Sequence, residues 1–225
     1  MKLFVNLHTY QADILFKMVK TVPEYMEKKL RVLEYIRYWH GNLDIRPPYL
    51  CVDTELKRAF MLSKDSDKLI SIGFEFEIGL FNDNLKDSNN YVLGVWYGET
   101  EVTDKAISGA HSLISFFNID EGYDPNWQLS LIEDEAEMDI DEEGVSLFEF
   151  IRNVEAGYLR YDDKPEEEKP LVHPRYHIDV NYTPHVSYKI GLGKAIGMNE
   201  FMQMINPNQK CAYLQIEHKM FDPKD

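Results

Sequence analysis

The 225-residue chain is 44% apolar and 13% aromatic, enough to bury one core without disulfides, and its formal charge is -15. Its two cysteines, Cys51 and Cys211, form no C-x-x-C or mixed Cys/His spacing, which excludes a disulfide scaffold and a zinc finger and suits a reducing cytoplasm. Residues 99–168 carry 4 basic and 21 acidic groups, a balance of -17 that repels phosphate backbones and anionic membranes and favours a basic protein partner.

The opening Met1-Lys2-Leu3-Phe4-Val5 is interrupted by Asn6, His8, Gln11 and Asp13 before an apolar signal core develops. No later apolar run nears the roughly 18 residues of a membrane span, so a soluble, untargeted, cytoplasmic chain is expected. Ile14, Leu15, Met18 and Val19 predict a helix from Thr9 to about Val22. A second helix begins near Pro23, with Met26, Leu30, Leu33 and Ile36 on one face and Glu24, Glu27, Lys28, Lys29, Arg31 and Glu34 mostly on the others. Gly41 is a stop. These two helices read as a hairpin over residues 1–45, appended to a single domain of residues 1–225. Pro47-Pro48 then forces an extended passage into Tyr49-Leu50-Cys51-Val52.

Residues 69–80 predict one strand, with Ile70, Ile72, Phe74, Phe76, Ile78 and Leu80 on a buried face and Ser71, Gly73, Glu75, Glu77 and Gly79 on a wet one. A polar loop leads to a second strand, Tyr91 to Tyr97, pairing as a hairpin. Thr103 and Asp104 introduce a helix carrying Ile107, Ala110, His111, Ile114 and Phe117 on one face. His111 on such a stripe reads as a hydrogen-bonded core or rim residue. A turn at Gly122–Asn126 and a short strand, Trp127 to Ile132, follow.

Residues 133–143 hold eight acids in eleven positions: Glu133, Asp134, Glu135, Glu137, Asp139, Asp141, Glu142 and Glu143. A solvated acidic loop is the plain reading, and a docking surface for a basic partner is the functional one. Asp139-Ile140-Asp141 lacks the glycine and terminal glutamate of an EF-hand loop. Ser146 and Glu149 form a capping-box pattern opening a helix through Leu147, Phe150, Ile151, Val154 and Tyr158, and Asp162 to Pro170 reads as a charged linker.

The densest set of chemically capable side chains follows: His173, Arg175, His177, Asp179, Asn181 and His185. Tyr176, Ile178, Val180 and Tyr182 alternate with His177, Asp179 and Asn181, and Val186 to Leu192 returns as the second strand of a hairpin. On a strand, His177 and Asp179 share a face, where a carboxylate can fix an imidazole tautomer or share a metal with it. The plain alternative is a wet polar face on an edge hairpin. No H-E-x-x-H, G-x-S-x-G or P-loop pattern accompanies the cluster, and the glycines around Lys194 serve turns. A helix around Met198 to Ile205 and a last strand, Cys211 to Glu217, complete the reading.

The run His173-Pro174-x-x-His177 with Asn181, then Tyr188-Lys189-Ile190-Gly191-Leu192, Glu200-Phe201 and Ile205, resembles the C-terminal signature of uncharacterised bacterial proteins built on an H-P-x-x-H motif. The likeness covers about the last fifty residues. It implies a bacterial or phage origin and association with mobile elements or defence islands, and it brings no activity or residue role.

The fold expected is α+β, an antiparallel sheet of about five or six strands with helices packed on one face. The function expected is a non-enzymatic accessory or antitoxin-like subunit binding a basic partner through the acidic middle segment, with no metal or other cofactor. The alternative is a metal-dependent hydrolase or nuclease with His173, His177 and Asp179 as ligands and His185 as a fourth ligand or general acid.

Overall fold

The computed structural model describes residues 1–39, 44–82, 91–119, 141–153, 157–169, 172–181 and 188–210. It divides the chain into two compact units, Met1–Ala195 and Ile196–Asp225. The expected strands Trp127–Ile132 and Cys211–Glu217, acidic residues 133–140, and His185 lie outside the described residues.

The first unit is α+β. Seven strands form one antiparallel sheet: β1 (Lys2–Asn6), β2 (Tyr49–Asp53), β3 (Arg58–Leu62), β4 (Lys68–Gly73), β8 (Leu159–Asp163), β9 (Tyr176–Val180) and β10 (Tyr188–Gly191), in that spatial order. Three more, β5 (Glu77–Asn82), β6 (Tyr91–Tyr97) and β7 (Thr100–Glu101), form a second antiparallel sheet. The helices of this unit are α1 (Thr9–Leu15), α2 (Val22–Arg37), α3 (Asp104–Ile119) and α4 (Glu142–Asn153), with a 3-10 turn at Pro165–Glu167. The second unit contributes α5 (Met198–Ile205), at the bounds its periodicity predicts.

Local chemistry sets the helix starts. Thr21 Oγ1 accepts from the Glu24 N–H while the Glu24 carboxylate accepts from the Thr21 and Lys20 N–H groups, a capping box that leads Pro23 into the first turn of α2. α4 begins four residues before Ser146. Asp141 takes the cap position, accepting from the Glu143 N–H, and it pairs with Lys105. Glu142 and Glu143 are therefore first-turn helical residues and not part of a loop, and Glu143 accepts from the Thr103 hydroxyl at 2.6 Å.

One apolar core joins Leu3, Val5, Leu50, Val52, Ala59, Met61, Ile70 and Ile72 of the large sheet to Leu30, Leu33 and Ile36 of α2 and to the apolar stripes of α3 and α4. Each such side chain, fully buried, stabilises the fold by about 1.5–3 kcal/mol. The single strand expected over 69–80 is broken into β4 and β5, which belong to different sheets. At the break Phe74 and Phe76 turn into the core, Phe76 packs edge-on against Phe150, and Glu75 accepts from the buried Lys29 ammonium at 2.8 Å. Nor is the other face of β4 wet, because Leu69 and Ser71 are buried there. β8 runs through what composition marks as a charged linker, so Asp162 stands inside a strand.

Candidate metal centre

The pleat gathers the site. Alternation puts His177 and Asp179 on one face of β9, and the register sets Asp162 of β8 opposite His177 and Arg160 opposite Asp179. Lys189 of β10 lies opposite Asp179, and Gly191 opposite His177. Across the other neighbour, Arg160 is opposite Ile70 and Asp162 opposite Lys68. The row thus continues the core-facing side of the sheet, whose chemistry changes from aliphatic on β1–β4 to ionisable on β8–β10. Burial follows: Asp162, His177 and Asp179 are each no more than 2% exposed. A wet polar face is overturned, because these side chains point to the inner face of the sheet.

His177 Nδ1 lies 2.8 Å from the Pro174 carbonyl oxygen, so that nitrogen carries the proton and donates. Its Nε2 faces Asp162 Oδ2 at 3.7 Å and Asp179 Oδ2 at 3.8 Å, too far for a hydrogen bond to either. The nearest ligand atoms of the three residues all lie within 4.8 Å of one another. Burial is the largest influence on the imidazole and holds its pKa below the usual histidine value, against the Pro174 bond and with the help of Lys189. Two cations hold the carboxylates in place. Arg160 Nε donates to Asp162 Oδ2 at 2.7 Å and its terminal nitrogen reaches Asp179 Oδ2, while Lys189 Nζ donates to Asp179 Oδ1 at 2.6 Å.

Among the described residues, three buried polar atoms here have no hydrogen-bond partner: His177 Nε2, Asp162 Oδ1 and His173 Nδ1. Leaving such an atom unsatisfied costs about 1–3 kcal/mol, so each calls for a water, a donor or a cation. His173 packs its ring edge-on at 4.6 Å from His177 and is partly exposed, with Nε2 3.7 Å from Glu167. It stands outside the three residues whose ligand atoms come together, Asp162, His177 and Asp179, which share His177 and Asp179 with the expected set. Gly191 is part of the construction. A Cβ there would stand 2.9 Å from the Pro174 ring, displacing the turn whose carbonyl orients His177.

The remaining expected residues lie apart. Arg175 donates to Asp163 at 2.7 Å and stacks over Tyr176, both on the opposite face, and Asn181 closes β9 in the left-handed region with φ of 62°. Sequence reasoning missed Asp162, Arg160 and Lys189. The signal was available in Arg160-Tyr161-Asp162, which repeats the polar–aromatic or aliphatic–polar alternation of His177-Ile178-Asp179.

His111 forms a different constellation. Its Nδ1 is 2.7 Å from Glu27 and its Nε2 3.1 Å from Glu34, both on α2 and both also paired with Arg31. A cavity of about 440 Å³ opens beside it, lined by Tyr38, Asp104, Ser108 and Ser112 among others. The expectation of a bonded rim histidine agrees with this geometry. No helix among the described residues is long and apolar enough to cross a membrane. No family model, curated protein or solved structure matches the chain.

Proposed function

We propose that this protein is a metal-dependent hydrolase whose centre is formed by Asp162, His177 and Asp179. The observation that carries the reading is the buried His177 Nε2, without a hydrogen-bond partner among the described residues and set between two carboxylates, with its other nitrogen committed to a backbone carbonyl. One imidazole and two carboxylates are a donor set suited to zinc, manganese or ferrous iron. Asp162, His177 and Asp179 would hold the ion, which would supply Lewis-acid activation of a water nucleophile. His173, whose ring packs against His177 and whose Nδ1 is buried without a partner among the described residues, would be the candidate general base. Purified protein dialysed against Mn²⁺ or Zn²⁺ should retain about one ion per chain by elemental analysis, and His177→Ala should retain none. Wild-type protein that takes up neither ion would end this reading.

The accessory or antitoxin-like role is a second reading, favoured by the -17 balance of residues 99–168. Such a field gives fast, salt-sensitive association with a basic protein. A stoichiometric basic partner captured at low salt and released at high salt supports it, whereas capture that persists unweakened at high salt counts against it.

A further inference from the structure

The charge balance of the centre defines what must accompany the ion. The carboxylates of Asp162 and Asp179 bring two negative charges, and Arg160 and Lys189, in direct contact with them, bring two positive ones. Lys68 stands opposite Asp162 in the register and adds another positive charge beside the row. A divalent cation seated on His177 Nε2 therefore enters a buried site whose two carboxylates are already neutralised by Arg160 and Lys189, and neither of its own two positive charges is compensated within that row. Burying uncompensated charge is strongly unfavourable. Lys189 and His173, with side chains 26% and 24% exposed, form the part of the site that solvent reaches.

We infer that the centre takes its cation together with a dianion, and that its substrates are small phosphate monoesters whose phosphoryl group supplies that charge. This rests on the metal-centre reading above. The dianion cancels the ion's excess charge, one phosphoryl oxygen completes the ion's coordination, and the Lys189 ammonium at the rim meets another. A carboxylate monoanion would cancel half the excess. The balance of -17 over residues 99–168 works against a nucleic-acid polyanion as substrate and favours a small ester. By linkage, cation and phosphate then tighten each other's binding equally.

The test is titration of the metal-free protein with Mn²⁺, followed by calorimetry, alone and in millimolar inorganic phosphate, with acetate as the monoanion control. The expected result is one-to-one Mn²⁺ binding alone, tightened at least about tenfold by phosphate, equivalent to about 1.4 kcal/mol of coupling. Acetate should produce much less. Lys189→Met, which removes one of the competing positive charges, should bind Mn²⁺ more tightly without phosphate and show a smaller phosphate effect. Equal Mn²⁺ affinity with and without phosphate overturns the inference and leaves the metal centre standing. Acetate matching phosphate overturns the dianion assignment. Phosphate-dependent uptake that persists in His177→Ala lies elsewhere and also overturns it. Absence of Mn²⁺ binding under every condition removes both this inference and the reading on which it rests.

Discussion

Arg160 illustrates how burial decides the value of a charge. It is 9% exposed and holds two carboxylates that are nearly sealed from water. Asp179→Ala leaves its guanidinium short of a partner and should cost about 3–5 kcal/mol in urea unfolding. Arg175→Ala breaks a pair whose arginine is 40% exposed and should cost less than about 1 kcal/mol. Lys28 gives a second residue-level test. Its ammonium is buried and donates to the Leu15 and Lys17 carbonyls at the end of α1, and burial pushes its pKa down to about 7. The folded protein thus releases this proton near pH 7, while the unfolded chain keeps it to near the ordinary lysine value of 10.5. Between those values the unfolded state binds more protons, so this group makes stability rise with pH. Chemical denaturation of the wild type and Lys28→Met across pH 7–10 should show a steeper rise in the wild type. Neither lysine burial on α2 nor the pairing of Arg160 is visible in the sequence, where both residues sit in charged stretches that ordinarily face water. His177 and Asp179 were legible because strict alternation surrounds them. Asp162 was not, because Pro165 and the acids after it gave its neighbourhood the composition of a linker.

Among elements, the α3–α4 contact is the closest approach of two backbones that the glycines reveal. A Cβ on Gly144 would lie 2.8 Å from Gly109 Cα, so the two helices touch through glycine. Gly144→Ala gains up to about 1 kcal/mol of helix propensity. Overpacking against backbone costs about 1–3 kcal/mol. The clash should win, with a lower urea midpoint at an unchanged slope. The His111 clamp between α2 and α3 carries a pH signature of opposite sign to that of Lys28. Burial opposes the imidazolium, but hydrogen bonds to Glu27 and Glu34 outweigh it and raise the pKa above 6.5. Its stabilisation is complete below the unfolded value and is lost as pH rises through the folded one. His111→Gln should therefore cost more at pH 5.5 than at pH 8.5, and equal costs at the two pH values would refute an ionic clamp. The amphipathic helices α2 and α3 were readable to within a few residues because periodicity and caps agree there. α4 was displaced because its true cap, Asp141, was hidden in an acidic run.

At the scale of the whole molecule, the α+β class and the hairpins β5–β6 and β9–β10 follow from alternation and turn chemistry. The partition of strands between two sheets does not, because it depends on which distant partner each strand finds. The decisive pairing is β4 with β8, where the chain returns after β5–β7, α3 and α4 to extend a sheet begun at its N-terminus. The proposed ligands arise within one local meander, β8 to β9, yet they are sealed only when that return is made. Long-range closure of this kind is slow because chain entropy is lost before the contacts form. An ion held by Asp162, His177 and Asp179 then belongs to the last step of assembly: Mn²⁺ should slow unfolding and leave the refolding rate unchanged in stopped-flow chevrons. On that basis the seam between β4 and β8 would act as a latch on an ion in the proposed centre, whose residence time would follow how long the two halves of the sheet stay joined.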